Sequence, residues 1–287
     1  MSVFVPTDLD RALAALDREP DALVLAGGTD VMVAVNAGSL RFDSVVALRA
    51  IDELKQVDVD AGRGLVRIGA GVTYTRLLAG DVVSTVPALA QAARTVGSPQ
   101  IRNAGTIGGN LATASPAGDT LPVLVALDAQ VEIASVAGRR TVPVHELLTG
   151  PKRTSLRPGE LITAVTVPIV RGHQEYRKVG VRNAMVIAVA SVAAVVDLER
   201  RSVAIGLGSV GPVPLRAPGA EAWMAGRLGW RDDGVALDER ADLDEFAALV
   251  AAAARPIDDH RGSAAYRRHA VGVMAARCIR SALTGLG

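Results

Sequence analysis

The sequence predicts an α+β protein built as two domains, and three observations carry that reading. The chain has 287 residues, enough for more than one core. In its first part, strand-like and helix-like stretches alternate, and two glycine clusters interrupt them: Ala26-Gly27-Gly28-Thr29-Asp30 and Thr106-Ile107-Gly108-Gly109-Asn110. Near residue 180 the composition changes. Two apolar strands are followed only by alanine-rich helices, the order expected of a separate, smaller α+β unit.

The elements follow in order. Residues 8–19 place Leu9, Ala12, Leu13 and Leu16 on one helical face. Ala22–Ala26 reads as a buried strand, and the first glycine cluster turns it into a helix over Val31–Ala37, with Thr29 or Asp30 as N-cap and Gly38 as the stop. Strands are expected at Ser44–Leu48 and over residues 65–70, and a helix from Thr73 to Leu78 capped by Thr73. Residues 86–96 have a helical pattern, and a loop containing Gly97, Ser98, Pro99 and Asn103 leads to the second cluster. Residues 120–127 read as an apolar helix capped by Asp119, with Pro122 tolerated in the first turn. Strands over 131–135 and 141–144 turn at Ala137-Gly138, and Leu161–Val167 opens after Arg157-Pro158-Gly159. In the second domain, strands at Met185–Val196 and Ser202–Leu207 precede helices at 217–226, 242–255 and 263–284, while 231–241 reads as an exposed charged loop.

Composition excludes several function classes. A formal net charge of +1 gives no electrostatic case for nucleic acid or an anionic membrane. Met1 to Pro6 lacks the basic and apolar run of a signal peptide, and the apolar stretch Ala184–Val196 is too short to span a bilayer, so a soluble cytoplasmic protein is expected. Cys278 is the one cysteine, so the chain makes no internal disulfide and cannot hold an iron–sulfur cluster alone. His145, His173, His260 and His269 have no metal-ligand spacing. Redox chemistry would need an organic cofactor.

The glycine clusters carry the chemical signal. Strand–glycine–helix order at Gly27, Gly28 and Thr29 can aim N–H groups at a phosphate, although an ordinary tight turn has the same sequence. The lysine of a Walker A loop is missing. The run from Asn103 to Asp119 adds Thr106, Asn110, Thr113 and Ser115 as neutral hydrogen-bonding groups, with Asp119 able to accept from a sugar hydroxyl. It is too polar for core and too patterned for a casual loop. Two such clusters point to one diphosphate gripped from two sides, as in a dinucleotide. Gly206-Leu207-Gly208-Ser209-Val210-Gly211 fits G-x-G-x-x-G, but Pro212 and Pro214 follow, so no helix can begin there. It reads as a glycine-rich strand end. Lys178 has two readings, a solvated charge at the domain border or a cation beside a redox ring, stabilising its reduced, anionic form.

On these residues the chain resembles the FAD-binding medium subunits of molybdenum hydroxylases, the group of carbon monoxide, xanthine and nicotine dehydrogenases. The resemblance is carried by both glycine clusters, the Ala114-Ser115-Pro116 to Asp119 continuation, Gly159-Glu160-Leu161-Ile162, Arg177-Lys178-Val179-Gly180-Val181-Arg182 and Tyr266-Arg267-Arg268-His269. It implies a two-subdomain FAD-binding fold of the vanillyl-alcohol-oxidase (PCMH) type over 1–176, divided near residue 55, plus a smaller C-terminal α+β domain over 177–287. It implies that Leu25, Ala26, Gly27, Gly28, Thr29, Asp30 and Val31, with Thr106, Ile107, Gly108, Gly109 and Asn110, hold the FAD pyrophosphate. Thr113 and Asp119 match positions at the sugar and ribityl parts, Ile162 an apolar contact at the flavin or adenine, and Lys178 a position near the isoalloxazine. A large molybdopterin-binding subunit and a small iron–sulfur subunit are the implied partners, docked through an apolar patch. A stand-alone flavin oxidoreductase and a degenerate nucleotide-binding module are the alternatives. The first would need titratable groups around the ring, where only Lys178 and Arg182 are near, and the intact glycines argue against the second.

Overall fold

A three-stranded parallel sheet starts the chain, in the order Ser2–Phe4, Ser44–Ala47, Leu23–Leu25. Its central strand is buried throughout, as a strand covered on both faces must be. Helix Leu9–Arg18 covers it with the expected face of Leu9, Ala12, Leu13 and Leu16. The Asp8 carboxylate starts that helix by accepting from the Arg11 N–H at 2.9 Å. The structure is a computed structural model and describes residues 2–239 and 241–284. Met1, Arg240 and residues 285–287, which fall within the expected domain limits and the 231–241 loop, lie outside the described residues.

A five-stranded antiparallel sheet follows, in the order Val57–Asp60, Leu65–Gly69, Leu161–Pro168, Gln130–Ser135, Gly138–Pro143. Alternation sends Val66 and Ile68 into the main core, where they meet Leu111, Leu124 and Val165. The third sheet, Gly172–Val179, Ala190–Asp197, Ser202–Gly208 and Leu215–Arg216, is antiparallel. The terminal helix Ala264–Thr284 packs on it and on helix Leu243–Ala253. Val192, Phe246 and Ile279 centre that core. The limit expected at 176/177 falls within strand Gly172–Val179.

Several local expectations change. The strand expected from Met185 begins only at Ala190, and Met185 has φ +49°, outside strand geometry. The 231–241 stretch contains strand Val235–Leu237, paired with Leu228–Trp230. Thr73–Leu78 forms only a short 3-10 turn over Arg76–Leu78, and the Tyr74 N–H donates to the Gly105 carbonyl at 3.1 Å. Helix Leu121–Ala126 begins at Thr120 with no side-chain cap. The expected cap, Asp119, is turned away to Tyr176 and Lys178. The stretch around the second cluster, read as loop, folds as helices Pro99–Ala104 and Ile107–Thr113, and strand Gly172–Val179 was not anticipated.

Candidate cofactor site

The first turn leaves the carboxyl end of parallel strand Leu23–Leu25, the end at which open α/β sheets place ligands. Gly28 has φ +71°, a conformation that glycine adopts without strain. Gly27 is required for a different reason. A Cβ there would lie 1.8 Å from the Ala104 carbonyl oxygen and 2.9 Å from the Gly105 nitrogen. The first turn is therefore packed, backbone on backbone, against the segment that leads into the second. Helix Val31–Asn36 follows Asp30 without a side-chain cap. Among the described residues, no protein acceptor takes the N–H groups of Gly27, Gly28, Thr29, Asp30 or Val31. Five donors in a row at the positive end of a helix suit an anion.

The second turn differs. Thr106 is the N-cap of helix Ile107–Thr113, and its hydroxyl accepts from the Gly109 N–H at 3.0 Å. The Ile107 N–H donates to Val72 O at 3.0 Å, Gly108 to Ala70 O at 2.9 Å, and Asn110 to Thr106 O at 3.0 Å. The N–H groups of Ile107, Gly108, Gly109 and Asn110, four of the five expected to grip a phosphate here, already have protein acceptors. Gly108 is needed for packing, since a Cβ would sit 2.5 Å from the Ala70 Cβ. At Gly109 a Cβ would meet only the Thr106 hydroxyl, at 3.0 Å. That face lets a ligand approach the backbone closely. Asn110 is buried, and its Oδ1 accepts from the Thr120 hydroxyl at 2.5 Å.

The two turns meet. Besides the contact of Gly27 with Ala104, the Thr113 hydroxyl donates to Asp30 Oδ2 at 3.3 Å. Tyr74 is buried within the field of the Asp30 and Asp119 carboxylates. Burial first, and those two charges second, push its phenol well above the usual range.

Asp119 and Lys178 pair with each other, Nζ to Oδ2 at 2.8 Å, with side chains only 10% and 6% exposed. The solvated-charge reading of Lys178 does not hold. The ammonium also donates to the Thr95 carbonyl at 3.2 Å, and the Tyr176 hydroxyl donates to Asp119 Oδ1 at 2.9 Å. Burial pushes the Asp119 carboxyl up, and Lys178 and then Tyr176 pull it back. Burial and the Asp119 charge raise the Tyr176 phenol well above its usual value. A buried pair of this kind is a poor source of stability, and such perturbed groups gather at functional sites.

Strand Gly172–Val179 explains the arrangement. Its even positions face the first domain: Gln174 donates to Thr85 O, and Tyr176 and Lys178 reach Asp119. Its odd positions, His173, Glu175 and Arg177, share the opposite face, where Arg177 pairs with Glu175 at 2.6 Å, His173 Nε2 lies 3.5 Å from Glu175, and Arg177 reaches Ser281 of the terminal helix. Tyr74 and Tyr176 were missed from the sequence. Tyr176 was findable, because it stands two residues before Lys178 and shares its face.

Ile162 lies elsewhere, opposite Ile133 in the main core and buried. Its strand supports helix Ile107–Thr113 from beneath, through Ala70, whose N–H bonds Thr163 O and whose carbonyl takes the Gly108 N–H. Among the described residues there is no cluster of histidine, cysteine or carboxylate able to hold a metal, and no helix long and apolar enough to cross a membrane. Free donors on one turn, an open glycine on the other and neutral polar groups between them fit a dinucleotide diphosphate.

Comparison with known proteins agrees. Residues 1–170 match the family described as the FAD binding domain in molybdopterin dehydrogenase, and residues 174–282 the CO dehydrogenase flavoprotein C-terminal domain. The glyceraldehyde dehydrogenase medium chain of Sulfolobus acidocaldarius is 34% identical over 276 residues, 95% of this chain and 94% of the relative. The carbon monoxide dehydrogenase medium chain of Afipia carboxidovorans is 32% identical over 284 residues, 96% of this chain and 94% of the relative. The crystal structure of quinoline 2-oxidoreductase from Pseudomonas putida 86 aligns with a TM-score of 0.88 at 26% identity, covering 100% of this chain and 98% of that one. The two-domain architecture and the FAD cofactor follow, and the chain belongs to the family of FAD-binding medium subunits of molybdopterin dehydrogenases.

Proposed function

We propose that this chain is the FAD-carrying electron-transfer subunit of a heteromeric molybdenum hydroxylase. The observation that carries the reading is the convergence of two sequence-distant glycine turns, one with a row of unclaimed N–H donors. In this reading Leu25 to Val31 supply the donors to the pyrophosphate, and Thr106 to Asn110 supply the surface on which it lies. Thr113 and Asp119 take the sugar and ribityl hydroxyls. The oxygens of Asp119 already accept from Tyr176 and Lys178, and a carboxylate has lone pairs for a further donor. Lys178 uses two donors on Thr95 and Asp119, leaving one for the isoalloxazine. Ile162 gives apolar support from below. Bound FAD supplies the redox chemistry, taking electrons singly and releasing a pair.

No side chain here need act as acid, base or nucleophile. Cys278 is fully buried in the terminal helix, and burial raises its thiol far above the usual range. It is no cluster ligand, which is why a small iron–sulfur subunit and a large molybdopterin subunit are assigned as cytoplasmic partners. Met32 and Val33 stand exposed on helix Val31–Asn36, which buries none of its residues, and offer apolar surface for docking.

The test is the visible spectrum of the purified chain, followed by co-purification from the native host. Flavin bands and recovery with molybdenum-containing and cluster-containing chains are expected. A colourless chain that takes up no FAD would refute the proposal. Bleaching of the flavin by a small substrate without partners would replace it with the stand-alone oxidoreductase.

A further inference from the structure

Two sequence motifs have no part in the site so far, the G-x-G-x-x-G run ending at Gly211 and the Tyr266–His269 stretch. The structure joins them. Strand Ser202–Gly208 runs directly against helix Leu121–Ala126: a Cβ on Gly206 would lie 1.9 Å from the Pro122 carbonyl oxygen. The next residue after the strand, Ser209, has φ +61°, a conformation serine rarely adopts. In that turn its N–H donates to the Pro116 carbonyl at 2.9 Å. Pro116 lies midway between Thr113 and Asp119.

Ser209 is held from the other side by Arg267. That side chain is in the terminal helix, and the residue is only 5% exposed. Its Nη1 donates to the Ser209 carbonyl at 2.8 Å and its Nη2 to Asp259 Oδ1 at 2.6 Å. Asp259 is fixed in turn by the Arg261 N–H at 2.8 Å. The Arg267 Nε makes no hydrogen bond, so the two terminal nitrogens alone orient the guanidinium. The buried cation, besides pairing with Asp259, pins a strained turn whose outward N–H reaches Pro116.

We propose that Arg267 is a positioning residue for that loop: by holding Ser209 in its left-handed turn it fixes Pro116, and with it the placement of Thr113 and Asp119 against the cofactor. The inference rests on the reading of this loop as part of the FAD site. It gives the C-terminal domain a direct role in cofactor retention, through backbone groups and without touching the cofactor.

The test uses the full chain and FAD itself. Arg267→Gln should weaken FAD binding by about tenfold or more, the loss of charge-assisted bonds to one backbone carbonyl. It should also alter the visible circular dichroism of the flavin that remains bound. Ser209→Val leaves the buried charge in place but resists the left-handed turn, and should weaken FAD in the same direction. Phe246→Leu, in the same domain core but outside the chain of contacts, should lower thermal stability while moving FAD affinity by less than about twofold. Unchanged affinity in both Arg267→Gln and Ser209→Val would overturn the inference. So would an equal loss of affinity in Phe246→Leu at matched stability. A wild-type chain that takes up no FAD overturns this inference together with the proposed function; a wild-type chain that binds FAD confines any failure to Arg267.

Discussion

The two glycine turns look alike in sequence and are built to do different things. The first, at Gly27 to Asp30, has its amides free. The second has spent the amides of Ile107 to Asn110 on Val72, Ala70 and Thr106. In each, one glycine is closed in, Gly27 by the Ala104 backbone and Gly108 by Ala70, whereas a Cβ on Gly28 would make ordinary side-chain contacts and one on Gly109 would press only on the Thr106 hydroxyl.

The largest expected effect tests the packing member. Gly27→Val drives a side chain into the Ala104 carbonyl, which cannot yield without moving the helix before the second turn. It should destabilise the cofactor-free protein by roughly 3 kcal/mol or more, read by urea unfolding. Gly108→Val should follow closely. The open member should respond in the reverse sense. Gly109→Leu should leave cofactor-free stability within about 1 kcal/mol, since leucine suits a helix better than glycine, and should abolish retention of FAD. A variant that stays yellow after gel filtration would remove Gly109 from the site.

A smaller effect sharpens how the turns are tied. Thr113→Val deletes the single side-chain bond to Asp30, and a loss of about two- to fivefold in FAD affinity is expected by fluorescence titration. The smallest is a pH effect on the contacts that hold the Ser209 turn. The Asp259 carboxyl is held down to about 2, chiefly by the Arg261 N–H and then by Arg267. Its folded value lies below the unfolded 3.8, so its contribution is complete above about pH 4 and is lost as the pH falls through 2. Wild type and Asp259→Asn should differ in tryptophan-monitored stability above pH 4 and converge below pH 2.

Much of this was legible. Leu9, Ala12, Leu13 and Leu16 announce their helix by spacing, and the prolines after Gly211 correctly exclude a dinucleotide fingerprint there. What the residues could not announce is where a polar group goes when a distant partner competes for it. Asp119 has the position of a helix cap, yet burial beside Lys178 and Tyr176 claims it. Thr106 to Asn110 has the composition of a loop, yet Ala70 and Val72 offer the carbonyls that let it begin a helix. Both outcomes depend on strands far away in sequence, one of which, Gly172–Val179, carries too many charged residues to read as buried.

That strand has a consequence for tolerance to change. Inserting one residue between His173 and Gln174 would rotate everything downstream by half a turn. Arg177 would then take the place opposite Asp119, and Tyr176 the place opposite Ser281, so both faces would lose their partners at once. Length variation here should be among the least forgiven in the chain.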